Sequence, residues 1–162
     1  MEVMGFSVRE MVAGDVVAVA KLTEGGFSDF YRFNWEQNAR SLFEAVSAGR
    51  AFCAVAERDG VVVGYCNLRG WPAGGWIDQI VVSKSHERQG VGKTLLEAIL
   101  NEARERKFWK VSLITSEADR GALSFFKACG WETVGKMKDE IRKGVNGILM
   151  SHIVDYELHP NR

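Results

Sequence analysis

Proline is scarce in this sequence. Pro72 and Pro160 are the only two among 162 residues, so no proline-rich linker divides the chain. No stretch approaches the roughly 18 apolar residues of a membrane-spanning helix. Neither sign of charge is in excess. The 21 basic and 21 acidic side chains cancel, which removes any general attraction to nucleic acid or to an anionic membrane. Cysteine is sparse as well. Cys53, Cys66 and Cys129 have neither zinc-ligand nor redox spacing, and an odd number suits no disulfide framework. All three lie in apolar stretches and are expected to be small buried hydrophobes. His86, His152 and His159 are isolated, and no metal is expected. Met1 to Gly5 lacks a basic run followed by an apolar core, which argues against a secretory signal. The expected location is cytoplasmic.

What is present is the composition of an ordinary globular protein, 46% hydrophobic and 26% charged. The length suits a single domain over 1–162, able to build its own core without disulfides or metals. Val8 to Met11 reads as a short strand. Asp15 precedes an apolar run of helical length and is a candidate N-cap; Gly25-Gly26 is expected to break that helix. Residues 35–48 form a second helix, with Trp35, Ala39, Leu42, Phe43 and Val46 at three- and four-residue spacing. Ala51–Ala56 and Val61–Leu68 are strands joined through Asp59-Gly60, a strong hairpin signal. Residues 70–75 read as a loop, followed by one strand over 76–82 with a continuously apolar end. A long helix over 91–106, a short strand over 111–115, a helix from Asp119 to Cys129 with Gly130 beyond its end, and strands over 131–138 and 147–154 complete the chain. The order β-α-α-β-β-β-α-β-α-β-β predicts a mixed α/β (α+β) fold, with a central sheet of about six to seven strands flanked by about four helices.

The chemistry concentrates between Ile80 and Thr94. There a buried strand leads through a glycine-bearing loop into a helix. Unpaired backbone N–H groups at a helix N-terminus bind anions, and the helix dipole reinforces them. Gly90 and Gly92 remove side chains where a phosphate must come close. Arg88 and Lys93 add positive charge, and Thr94 adds a hydroxyl. These residues predict a phosphate or pyrophosphate cradle. A P-loop is excluded by the spacing of the glycines. A dinucleotide-binding fold is excluded by the late position of the loop and by Leu95 at the third glycine position.

The run Glu87-Arg88-Gln89-Gly90-Val91-Gly92 resembles the acetyl-coenzyme A signature of the GNAT N-acetyltransferases, Gln/Arg-x-x-Gly-x-Gly/Ala. Downstream, Asp119-Arg120-Gly121-Ala122-Leu123-Ser124-Phe125-Phe126-Lys127-Ala128-Cys129-Gly130-Trp131 resembles the family's Asn-x-x-Ala-x-x-x-Tyr-x-x-x-Gly-Phe. Element order and spacing agree from Val8 to about Val154. The resemblance implies the GNAT fold, acetyl-CoA as co-substrate and acetyl transfer to a primary amine of a small molecule or peptide, by direct attack in a ternary complex. It implies that Ile80, Val81 and Val82 pair their backbone with the pantetheine arm as with an added strand, the polar groups of Ile80 and Val82 being left unpaired until coenzyme A arrives. Arg88, Gln89, Gly90, Val91, Gly92, Lys93 and Thr94 would bind the pyrophosphate, and Asp119 and Phe126 would lie beside the pantetheine and thioester. Three positions depart from the pattern. Glu87 stands at the first motif position, Asp119 replaces Asn, and Phe126 replaces the Tyr that often protonates the departing thiolate; phenylalanine has no proton to give.

An alkylammonium must lose its proton before attack, so a general base is useful. Asp78 is the first candidate: strand alternation places it on one face with Ile80 and Val82. Glu117 is the weaker candidate. The glutamate used in the ribosomal-protein branch of the family corresponds here to Ile114. A backbone N–H of Val81 or Val82, with Val82 preferred, is the candidate oxyanion donor. Phe27, Phe30, Tyr31, Phe33, Trp35, Trp71 and Trp76 are candidates for the acceptor wall, with core packing as the alternative role. A non-catalytic acyl-coenzyme A binding or sensor module is the competing reading, because the family's Tyr and Glu are absent. The expected state is a monomer or a weak homodimer. Gly147 to Met150 would be either a pairing edge or, by narrow preference, the last buried strand.

Overall fold

A computed structural model of the chain describes residues 2–3, 5–27 and 34–161. In order these form β1 (Glu2–Val3), β2 (Phe6–Glu10), α1 (Val16–Phe27), α2 (Trp35–Ser47), β3 (Ala51–Arg58), β4 (Val61–Trp71), β5 (Gly74–Trp76), β6 (Ile80–Val82), α3 (Val91–Glu105), β7 (Lys110–Ser116), α4 (Arg120–Ala128), β8 (Glu132–Arg142) and β9 (Val145–Ile153). The mixed α/β class and the four helices agree with expectation. The strands number nine among the described residues, more than expected, for two reasons. A two-residue β1 pairs with β2. The single strand expected over 76–82 is two strands, β5 and β6, with Ile77, Asp78 and Gln79 in neither. The loop expected over 70–75 shrinks to a turn at Pro72-Ala73. No described helix is long and apolar enough to cross a membrane.

The described residues fall into two compact units, one drawn from 1–70 and 79–102, the other from 71–78 and 103–162. In the first, β1, β2, β3 and β4 pair antiparallel in sequence order, and β6 pairs antiparallel with β4. Asp59 (φ 51°) and Gly60 (φ 77°) close the β3–β4 hairpin between the paired Arg58 and Val61. Both residues take the left-handed conformation that a two-residue hairpin turn demands. One sheet face carries Cys53, Val55, Tyr65 and Val81, packed with Val19 and Ala20 of α1 and Ala39 and Val46 of α2. The opposite face lies under α3, whose Val91, Leu95, Leu96 and Ile99 are buried. Cys53 and Cys66 are buried and unpaired, and burial pushes both thiols up.

The expected break at Gly25-Gly26 is absent: α1 runs through both glycines to Phe27. A Cβ on Gly26 would sit 3.2 Å from Val81 Cγ1. Glycine therefore lets the helix lie close on β6, and that packing outweighs a propensity penalty of about 1 kcal/mol per glycine.

Asp15 does not cap α1. It is buried, accepts from the Val12 N–H at 2.8 Å, and forms a two-pronged pair with Arg9 at 2.8 and 3.0 Å. Arg9 also reaches Glu57 at 2.7 Å, tying β2 to β3. Burial by itself would raise the Asp15 pKa. The Arg9 and Val12 hydrogen bonds outweigh it and hold the carboxyl below its usual value. A lowered folded pKa contributes stability above the unfolded value of about 3.9, and that stability is lost as pH falls through the folded value. Asp15→Asn should therefore cost about 2 kcal/mol at pH 7 and much less at pH 3, read from urea midpoints. An equal cost at both pH values would remove the charge from the account.

In the second unit β5 runs parallel to β7, while β7–β9 and β9–β8 are antiparallel. Gly147 to Met150 is thus internal, paired on both sides, and the edge belongs to β8. Charged residues along β8, among them Glu132, Lys136, Lys138 and Glu140, discourage pairing with another chain. Helix α4 has the predicted ends. Asp119 accepts from the Ala122 N–H at 2.9 Å. Beyond Cys129, Gly130 is left-handed (φ 86°), and the Gly130 and Trp131 N–H groups donate to the Lys127 and Phe126 carbonyls.

Candidate active site

The geometry of β6 follows from its register on β4, with Gly64, Tyr65 and Cys66 opposite Val82, Val81 and Ile80. The flanking bonds fix which residues face inward. The Asn67 N–H donates to Gln79 O, and the Ser83 N–H donates to Val63 O. In an antiparallel ladder alternate residues share this role, so Tyr65 and Val81 are the inward pair between them. The N–H and C=O groups of Ile80 and Val82 point away from β4. Among the described residues no second strand pairs with β6. This corrects the expectation for Val81: its backbone belongs to β4, and only Ile80 and Val82 offer theirs to a ligand.

Two residues beyond β6 a 3₁₀ turn (Lys84–His86) begins and leads to Glu87, then to left-handed Arg88 (φ 59°) and Gly90 (φ 84°). A non-glycine residue held at positive φ costs about 1 kcal/mol or more, and such strain gathers at functional loops. The first intrahelical bond of α3 runs from the Thr94 N–H to Gly90 O, 3.0 Å. The N–H groups of Val91, Gly92 and Lys93 therefore have no intrahelical acceptor. These amides lie beside the exposed Arg88 and Lys93 side chains.

Several residues of the predicted cradle act differently from expectation. The Thr94 hydroxyl is buried and donates to Gly90 O at 2.9 Å, closing the first turn rather than facing a ligand. The Val91 side chain is buried against the sheet, leaving its backbone for an anion. The Gln89 side chain braces the loop: its Nε2 donates to Ser85 O at 3.2 Å and its Oε1 accepts from Arg58 at 3.1 Å. Sequence reasoning missed Arg58, which lies 31 residues from its partner. It also missed Asn67 and Gln79, whose one signal was a polar residue inside an apolar strand run.

The other candidates belong to the second unit. Asp78 is exposed, in the break between β5 and β6. The continuous strand that placed it on one face with Ile80 and Val82 does not exist. Glu117 accepts from Lys136 at 2.5 Å and from Asn146 at 2.8 Å. These bonds, the lysine's foremost, hold its carboxyl below the usual range and make it a weak base. The Asp119 carboxylate caps α4. Phe126 is 3% exposed, with its ring packed on Phe125 and Trp131 at 5.2 and 5.7 Å between centroids. That is a core position.

Tyr65 is fully buried with its hydroxyl engaged by Thr23 and Gln79. Among the acceptor-wall candidates, Trp35 packs on the core of the first unit, and the Trp71 and Trp76 rings lie 5.2 Å apart in the second. Phe30, Tyr31, Phe33 and the Phe27 side chain lie outside the described residues.

Comparison with known proteins places this arrangement. A 74-residue segment is 29% identical to N-acetyltransferase family 8 member 2 of Rattus norvegicus, covering 46% of this chain and 33% of that protein. The match thus spans about a third of that curated relative. The fold resembles the ribosomal-protein-alanine N-acetyltransferase of Brucella melitensis, with a TM-score of 0.79, 22% identity, and 91% and 99% of the two chains covered. It equally resembles yncA of Salmonella typhimurium, solved with its cofactor acetyl-CoA, with a TM-score of 0.81, 16% identity, and 97% and 98% covered. Residues 20–131, more than half of the sequence, match the acetyltransferase (GNAT) family, and the chain belongs to that family.

Proposed function

We propose that the protein is an N-acetyltransferase, acting as a single GNAT domain, that moves the acetyl group of acetyl-CoA to a primary amine of a small molecule or peptide. One observation carries the reading. A strand with outward-facing Ile80 and Val82 backbone groups leads within nine residues to a helix start with unbonded N–H groups. The first matches the amides of a pantetheine arm, as an added strand would. The second matches a pyrophosphate. The solved relative that carries acetyl-CoA supports the same assignment.

In this reading Ile80 and Val82 hold the pantetheine, and the Val82 N–H donates to the thioester oxygen. That bond strengthens as the neutral amine attacks and the oxygen gains charge. The carbon–sulfur bond then breaks, the amide nitrogen releases its second proton to water, and the thiolate takes a proton from water, since Phe126 at the family's tyrosine position has none to give. The ammonium loses its first proton to water before the attack.

The test is calorimetric titration with acetyl-CoA, followed by thiol release with a panel of primary amines and N-terminal peptides. Binding with amine-dependent thiol release supports the transferase. Binding without turnover would leave an acyl-coenzyme A sensor, and no binding would overturn both.

A further inference from the structure

β6 stays on β4 for only three residues, and a side chain decides where it leaves. In a regular antiparallel ladder Asn67 and Gln79 would exchange two backbone hydrogen bonds. The first is present, from the Asn67 N–H to Gln79 O at 3.2 Å. The return bond is different. The Gln79 N–H donates to the Asn67 side-chain Oδ1, at 2.8 Å, in place of the Asn67 carbonyl. A side-chain acceptor between two strands needs room that a backbone carbonyl does not. Asn67 therefore wedges the chain out of the ladder at Gln79, one residue before β6, and residues 77–79 follow no strand.

The Gln79 side chain is fixed as well. Tyr65 donates its hydroxyl proton to Gln79 Oε1 at 2.8 Å. Thr23 of α1 donates to Val19 O, and its hydroxyl oxygen lies 2.5 Å from the same phenol oxygen, so the two hydroxyls are joined through one shared proton. Tyr65, Thr23 and Asn67 are 0%, 1% and 4% exposed. Buried polar groups are held by one another rather than by water, and a satisfied network of this kind fixes geometry. Tyr65 also anchors the chain on β4 directly opposite Val81.

We propose that Asn67, with Gln79 and Tyr65, is a positioning cluster that sets the angle at which the Ile80 and Val82 backbone groups meet the pantetheine arm. The identity of the ligand rests on the acetyl-CoA reading above; the wedge itself does not. The experiment compares Asn67→Leu, which removes the acceptor, with Asn67→Asp, which keeps it. Each variant is titrated with coenzyme A and with ADP, which carries the pyrophosphate but no pantetheine. Amide NMR signals of Gln79, Ile80 and Val82 are recorded without ligand.

Asn67→Leu should weaken coenzyme A about tenfold and leave ADP unchanged, and Asn67→Asp should restore coenzyme A to within about threefold. The three amide signals should move in Asn67→Leu and return toward the original in Asn67→Asp. Unchanged coenzyme A affinity in Asn67→Leu, or equal weakening of both ligands, overturns the proposal. Should the unaltered protein bind no coenzyme A, the acetyl-CoA reading falls and the amide signals alone decide. Movement confined to the leucine variant upholds the wedge, and no movement sinks it.

Discussion

Gly90→Trp is expected to weaken acetyl-CoA binding by at least about a hundredfold in a calorimetric titration, with Gly90→Ala keeping most of the affinity. A Cβ on Gly90 would meet nothing within 4 Å, so it would project into open space at the start of α3. An indole there covers the amides that have no intrahelical acceptor. A hydrogen bond from such an amide to a phosphate oxygen is charge-assisted and contributes about 1.5–3 kcal/mol, so losing two accounts for a hundredfold. The alanine variant separates this steric effect from conformational strain. Gly90 sits at φ 84°, where any side chain costs about 1 kcal/mol or more, so both variants should melt somewhat earlier. Only the tryptophan should block the ligand. Full affinity in Gly90→Trp would move the phosphate site away from this loop.

Local chemistry made much of this fold legible. Asp59-Gly60 announced its hairpin because few other pairs accept two left-handed residues. Asp119 and Gly130 announced both ends of α4 because a cap and a left-handed terminus each need a particular residue. The glycines and cations of residues 88–93 marked the loop that leads to the unbonded amides of α3. Long-range contacts hid the rest. Gly25-Gly26 reads as a helix break from propensity, yet Val81, more than fifty residues later, makes Gly26 a packing surface. The apolar run ending at Val82 reads as one strand, because nothing near it reveals that Asn67 intrudes from β4. Glu117 looked like an available carboxylate until Lys136 and Asn146 closed on it from β8 and β9. That Val81 turns its backbone to β4 was likewise a matter of register, and register is set by pairing rather than by composition.

Gly64→Val should have the largest effect on stability and binding together. Gly64 pairs with Val82 on one side and with Ala56 on the other. A Cβ there would lie 3.0 Å from Val81 O, 3.2 Å from Val91 Cγ1 and 3.3 Å from Leu95 Cδ1. The first of these atoms is backbone, and the other two belong to buried side chains at the start of α3. None is the loose end of a flexible chain. A valine must push β6 off β4 or lift the first turn of α3, and overpacking of that kind costs about 1–3 kcal/mol. With two rigid elements in the way the upper end is expected, which lowers Tm by roughly 6–12 °C for a chain of this size. Binding should suffer even where the protein remains folded. The outward backbone of β6 and the amides of α3 both rest on this glycine, so coenzyme A and ADP should each weaken more than about tenfold. This separates Gly64→Val from Asn67→Leu, which tilts β6 alone and spares ADP. If Gly64→Val left Tm and both affinities unchanged, strand and helix would not share one mechanical support, and the pantetheine and phosphate halves of the site would have to be positioned independently.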